Sequence, residues 1–383
     1  MRFRADKTWD GTRATPLRVH RTRERTSPLV QGPVVSATSS PVEGWVRSFA
    51  KSVPFIPRTH SGCDPCSGAG ATWYGDTWEY TRPVAASNTA GYWAQVGNCG
   101  GPGQSGCGST APSPRSGAAM YLWAVTSTSE NVLLFGGQTG SSTYNGETWE
   151  FVDITSTWTQ LSPTNSHSAR AGAMMASTAT GGSGSLVLFG GYSTSGYDSD
   201  TWTWAAGGNW GQAAPTTSPS ARAWGGFTYD GFDSYNVLFG GVGSSGQDGD
   251  TWEWTGSNWI SLSPSTSPSA RSAFGMDEAN LAFTSNQYVM LIGGYDRSKD
   301  LPDLWQFYNG DWTEACASCI PAREYFGASS DSAGGGTAGM FIGGDLTGTQ
   351  FMDAWFVSLG YAGGGGGITS YQGYGPAMPD TGY

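Results

Sequence analysis

Five times in 383 residues an apolar run stops at a pair of glycines. The runs are Val132–Gly137, Leu186–Gly191, Asn236–Gly241, Met290–Gly294 and Met340–Gly344, and their first glycines are Gly136, Gly190, Gly240, Gly293 and Gly343. Successive pairs lie 50 to 54 residues apart. A repeat of this length implies units that cannot bury their own apolar faces and must stack on one another. A helical solenoid would show 3.6-residue periodicity, which is absent, and a parallel β-helix would have a much shorter period.

A second motif follows each glycine pair. It reads acidic residue, small or apolar residue, Trp, any residue, then mostly an aromatic. The instances are Asp76/Trp78/Tyr80, Glu147/Trp149/Phe151, Asp200/Trp202/Trp204, Asp250/Trp252/Trp254, Asp303/Trp305/Phe307 and Asp353/Trp355/Val357. A lone Trp comes next in five units (Trp93, Trp158, Trp210, Trp259, Trp312), and then a Pro/Ser/Ala-Arg element with Arg115, Arg170, Arg222, Arg271 and Arg323. Each unit reads as four short strands. Trp-x-aromatic puts two rings on one face of a strand. The Val-Leu-Phe runs do not alternate, so that strand is covered on both faces. Paired glycines let the chain turn at positive φ or pass close to a neighbour. Small residues after each Arg suit a crowded innermost strand.

Sheets covered on both faces and repeated every ~50 residues describe a β-propeller. The Gly-Gly, the later aromatic and Trp, and the Arg that opens the next unit resemble the Kelch repeat, including the galactose-oxidase-type propeller. The resemblance spans about residues 73–357 and is specific for fold; Kelch propellers host many tasks. The acidic-Thr-Trp variant is similar to Kelch-type proteins of prokaryotic cell surfaces. The expectation is an all-β, Kelch-type propeller of six four-stranded blades over residues 61–360. A basic, disordered extension (1–60) precedes it and a Gly-rich tail (361–383) follows. Strands missing from the first and last units are expected from about residues 40–72 and 358–375 or from a longer natural chain, and seven blades or a truncated ring are the alternatives to six.

Composition excludes several classes. With 18 Trp, 17 Tyr and 16 Phe the chain has too many rings to stay disordered, and its 13% charged residues are too few for a coiled coil. No apolar run approaches the ~18 residues of a membrane helix. Residues 1–60 hold 11 of the 19 Lys+Arg, whereas the rest carries a net charge of −18. That body would repel nucleic acid. The arginine-rich start has no apolar h-region and reads as a leader.

Six cysteines form the close sets Cys63/Cys66, Cys99/Cys107 and Cys316/Cys319. Disulfides in an oxidising, extracellular or cell-surface setting are one reading; a structural zinc held by the two Cys-x2-Cys pairs is the other. Asp198/Asp200, Asp248/Asp250 and Asp230/Asp233 form pairs with oxygen ligands suited to calcium. The chain has only three histidines, His20, His60 and His167, so no His pair at metal-ligand spacing exists, and the copper ligands of galactose oxidase have no counterpart. A Ser-His-Asp site could form only around His167.

The loops after each Gly-Gly, Gln138–Asn145, Tyr192–Ser199, Val242–Gly249, Tyr295–Pro302 and Asp345–Met352, are rich in Ser, Gly, Thr, Tyr and Asn. That composition suits adaptable contact surfaces. The strand order places them beside the Arg-bearing loops, on the face through which Kelch relatives bind partners. The expectation is a monomeric, non-catalytic binding module, with no cofactor, that grips a protein or glycan through Tyr144, Tyr192, Tyr197, Tyr295 and Arg297. The repeated Trp and Arg are expected to be structural. The alternative is a carbohydrate- or metabolite-active enzyme on the same scaffold.

Overall fold

A computed structural model describes residues 111–325, apart from 126–129, 180–183, 206, 281–286 and 319. Outside that span it describes the strand segments 47–48, 77–81, 92–96, 327–330, 338–342, 345–346, 349–350, 354–358 and 370–372. The chain is all-β and built of antiparallel sheets. Among the described residues the only helical element is the short 3-10 turn Asp153–Thr155, and no helix is long and apolar enough to cross a membrane.

Each sequence unit from the second to the sixth folds as a four-stranded meander. In the second unit the strands are Ala119–Val125, Glu130–Phe135, Thr148–Val152 and Thr157–Leu161. The fourth unit repeats this with Gly226–Asp230, Tyr235–Phe239, Thr251–Trp254 and Trp259–Ser261, and the fifth with Gly275–Asn280, Gln287–Ile292, Leu304–Tyr308 and Asp311–Cys316. The third unit runs Met174–Ser177, Leu186–Ser193, Gly196–Ala205, Asn209–Gln212, and the sixth closes on Ser370–Gln372. In the first unit Arg47–Ser48 pairs with Thr77–Thr81, which pairs with Tyr92–Val96.

The second strands form the interior. Val187, Leu188 and Phe189 are consecutive and each 0% exposed, which requires cover on both faces of the sheet. The paired glycines bring neighbouring units together. A β-carbon on Gly190 would lie 2.4 Å from the Arg222 carbonyl oxygen, and one on Gly136 would lie 2.5 Å from that of Arg170. The second glycine of each pair uses this closeness: the Gly137, Gly191, Gly241 and Gly294 N–H groups donate to the carbonyls of Arg170, Arg222, Arg271 and Arg323.

The first strands of successive units are spatial neighbours from Ala119–Val125 through to Gly327–Ser330. A relay of backbone hydrogen bonds ties them together just before they begin. Gly172 N–H donates to Gly117, Trp224 to Gly172, Ala273 to Trp224 and Tyr325 to Ala273, at 2.7 to 2.9 Å. All five residues are left-handed, with φ between 52° and 65°.

The stretches read as loops after Gly-Gly are partly hairpins. Gln138–Gly140 pairs with Thr143–Tyr144, and Val242–Gly243 pairs with Gly246–Gln247. In the third unit the hairpin is continuous with the strands on either side, across a register shift between Phe189 and Gly191. The glycine pair interrupts the ladder without ending the pairing.

Candidate functional site

The recurrent Arg lies at the junction between sheets, fully buried, with its donors directed at carbonyl and carboxylate oxygens. Arg170 grips Asp200 with two bonds of 2.5 and 2.9 Å, Arg222 grips Asp250 at 2.5 and 3.0 Å, and Arg271 grips Asp303 at 2.7 and 2.8 Å. Arg115 reaches Glu147 at 2.7 Å. The same guanidinium donates to the first glycine's carbonyl (Gly136, Gly190, Gly240 or Gly293) and to the carbonyl two residues back, as Arg323 does to Pro321. The indole N–H of Trp149, Trp202, Trp252 or Trp305 completes each carboxylate. Burial alone would raise the Asp200 and Asp250 pKa values, but bonds from Arg and Trp outweigh it and hold both below the usual range. Such forked, charge-assisted clusters fix geometry, and their oxygens are already occupied.

Asp198 and Asp248 approach Arg170 and Arg222 less closely, at 3.5 and 3.4 Å. Burial raises their pKa values despite the nearby guanidinium. The acid pairs that resembled calcium ligands thus face an arginine. Asp230 is different: burial pushes it up to about 6, with Asp233 and Glu253 adding like charge, and its Oδ1 accepts the Phe232 N–H.

The lone Trp of each unit bonds to the preceding unit. The indoles of Trp158, Trp210, Trp259 and Trp312 donate to the hydroxyls of Thr77, Thr148, Thr201 and Thr251 at 2.9 to 3.0 Å. Trp204 and Trp254 are equally buried, but their indole N–H groups meet no acceptor. Trp202, Trp252 and Trp305 are half-buried, while Trp149 is buried.

His167 is 6% exposed, among Phe135, Trp202 and Trp210, with ring centroids 3.7, 5.2 and 4.7 Å away. Neither ring nitrogen has a hydrogen-bond partner among the described residues. Burial, and then the Arg170 charge, lower its pKa to about 3. Among the described residues no hydroxyl bonds to this ring, so no Ser-His-Asp arrangement is seen there.

Of the expected contact residues, three converge. Tyr192 lies 6.0 Å from Tyr144 and 4.8 Å from Tyr197, edge to face, and 6.2 Å from Trp224 at a shallow 30°. All four residues are half-buried. Tyr295 and Arg297 lie in the loop after the fifth unit's glycine pair. The Tyr295 hydroxyl donates to the Arg297 carbonyl, and the Arg297 guanidinium spans to Gln247 and to the Ser245 carbonyl of the previous unit's hairpin. Arg297 is therefore engaged within the chain, because its loop reaches the adjacent hairpin.

Trp224, missed in the sequence, joins this aromatic crescent to a cavity of about 230 Å³. The cavity runs along the first strands of five units, from Ser116 to Ala328, and its wall includes Trp224, Phe274, Tyr121 and Tyr325. Only its position two residues after Arg222 could have signalled Trp224, and that position holds Gly, Gly, Ala or Tyr in the other units.

Cys316 ends the strand Asp311–Cys316. The other five cysteines (Cys63, Cys66, Cys99, Cys107, Cys319) lie outside the described residues, as do Gly343 and the side chains of Trp78 and Trp355, so no cysteine pairing is assigned. Among the described residues no group of three or more His, Cys, Asp or Glu is placed to hold a metal ion. No protein-family model matches the chain, and no curated protein matches it.

Proposed function

We propose that the chain is a non-catalytic binding module, a Kelch-type propeller of six blades that recognises a protein or a glycan through the face bearing the Gly-Gly hairpins. Four features support the propeller: the repeated meanders, the neighbouring first strands, the relay from Gly117 to Tyr325, and a cavity lined by five units. The binding reading rests on one observation, the crescent of Tyr144, Tyr192, Tyr197 and Trp224 at the end where the first strands begin. Exposed rings held by a rigid sheet offer stacking surface at little ordering cost. The close cysteine sets are the ground for placing the chain's action at or outside the cell surface.

The test is a glycan array probed with the full chain and with a variant carrying Tyr144→Ser, Tyr192→Ser and Tyr197→Ser. Binding lost in the variant with an unchanged melt supports the reading. Retained binding, or turnover of a bound glycan by the unmodified chain, overturns it. A scattering radius of gyration well above the ~20 Å of a compact chain of this length would refute the ring.

A further inference from the structure

We infer that the cavity between the first strands binds one uncharged aromatic ring system of about indole size. This goes beyond the rim reading and stands even if the rim tyrosines bind nothing. Volume sets the scale. An apolar cavity of ~150 Å³ takes a benzene, and this one, at about 230 Å³, has room for a fused bicycle.

The wall chemistry selects the class. Among the described lining residues there is no Asp, Glu, Lys, Arg or His. Gln138 spends its amide on the Ser141 carbonyl, and the Tyr121 hydroxyl faces Thr228. A charged ligand would find no counter-charge among these residues, and the hydroxyl and amide side chains that could pair with a sugar's hydroxyls are few (Ser116, Tyr121, Gln138 and Tyr325). Met120, Met174, Met175 and Met276 all line the wall, four of the nine methionines in the chain. Thioether sulfurs favour the edges of aromatic rings. Glycine keeps room for them: a β-carbon on Gly225 would lie 2.7 Å from the Met174 sulfur, and one on Gly226 would lie 2.5 Å from that of Met276.

Trp224 supplies a preformed stacking wall. It holds φ of 54°, a conformation costly for a bulky residue, at a turn where three other units have Gly or Ala. The relay bonds to Gly172 and Ala273 fix its backbone. Its indole rests on the bare α-carbon of Gly172, where a β-carbon would lie 2.6 Å from the ring. A ring already held in place loses no rotamer freedom when a ligand stacks on it.

The experiment titrates the full chain, labelled with methyl-13C methionine, with indole, benzoate and glucose. Single Met→Leu substitutions assign the signals. Indole is expected to shift the Met120, Met174, Met175 and Met276 methyls saturably and to leave the other five still, while benzoate and glucose shift none. Trp224→Ala should weaken indole at least tenfold; should that variant not fold, the titration of the unmodified chain decides alone. Ile260→Ser, at an exposed position outside both the rim and the cavity lining, should change indole binding by less than twofold. N-acetyl-tryptophan amide distinguishes the source: binding comparable to indole points to a partner's side chain, and exclusion points to a free small molecule. Indole that shifts none of the four methyls, or benzoate or glucose that binds as tightly, overturns the inference.

Discussion

Acid should unfold this protein through His167. The ring is enclosed by Phe135, Trp202 and Trp210, with Arg170 adding repulsion for a proton and Asp200 opposing it. Its pKa is depressed from an ordinary 6.5 to about 3. The unfolded chain therefore takes up a proton at a pH where the fold cannot. His167 leaves stability intact above about pH 6.5 and erodes it as the pH falls toward 3. Each pH unit in that window costs about 1.4 kcal/mol, so pH 4.5 costs roughly 3 kcal/mol relative to pH 7.5. The equivalent positions, three before Arg115, Arg222, Arg271 and Arg323, hold Pro112, Pro219, Pro268 and Ile320. An apolar substitute thus belongs there, and His167→Leu is the perturbation to make. Urea unfolding of both chains at pH 7.5 and 4.5 gives the difference directly, since every other titrating group is shared. The wild type should lose about 3 kcal/mol more than His167→Leu on acidification. Equal losses, or a His167 resonance titrating near pH 6.5 in the folded protein, would refute the burial argument.

Asp230 has the opposite sign: its pKa is raised to about 6, so the charge it carries at neutral pH opposes folding, and that cost fades as the pH falls toward 4. Asp230→Asn keeps the acceptor for Phe232 and should stabilise the chain by about 2 kcal/mol at pH 7.5 and by little near pH 4, read by thermal melts at both. Trp204→Phe gives up an indole N–H that meets no acceptor, at a position where other units carry Phe151 and Phe307. It should cost under ~1 kcal/mol, whereas Trp210→Phe strips Thr148 of its donor and should cost about 1–2 kcal/mol more by urea unfolding. Arg222→Lys cannot replace a fork onto Asp250 plus two carbonyls and should lower the melting temperature by several degrees; an unchanged melt would show the fork contributes nothing.

The strands and their unit boundaries could be read from sequence because they repeat and because period-2 patterns report burial directly. Even one inter-unit bond left a trace: the first four units carry Thr77, Thr148, Thr201 and Thr251 before their Trp, while the fifth carries Leu304, and the sixth unit has no Trp after Trp355 to need a hydroxyl. The site was less legible. The left-handed turn after each Arg announces itself only where it is Gly117 or Gly172; Trp224, Ala273 and Tyr325 adopt it because relay bonds on the neighbouring units impose it. His167 lies in the loop between Leu161 and Arg170, and nothing linear reveals that three rings from two units close over it. Arg297 looked free because its partners, Ser245 and Gln247, lie some fifty positions earlier.

The relay from Gly117 to Tyr325 gives each joint between the second and sixth units the same chemistry: one amide donated backward, one carbonyl offered forward. Splicing in a duplicate module would break one such link and create two of identical kind, leaving no orphaned polar group.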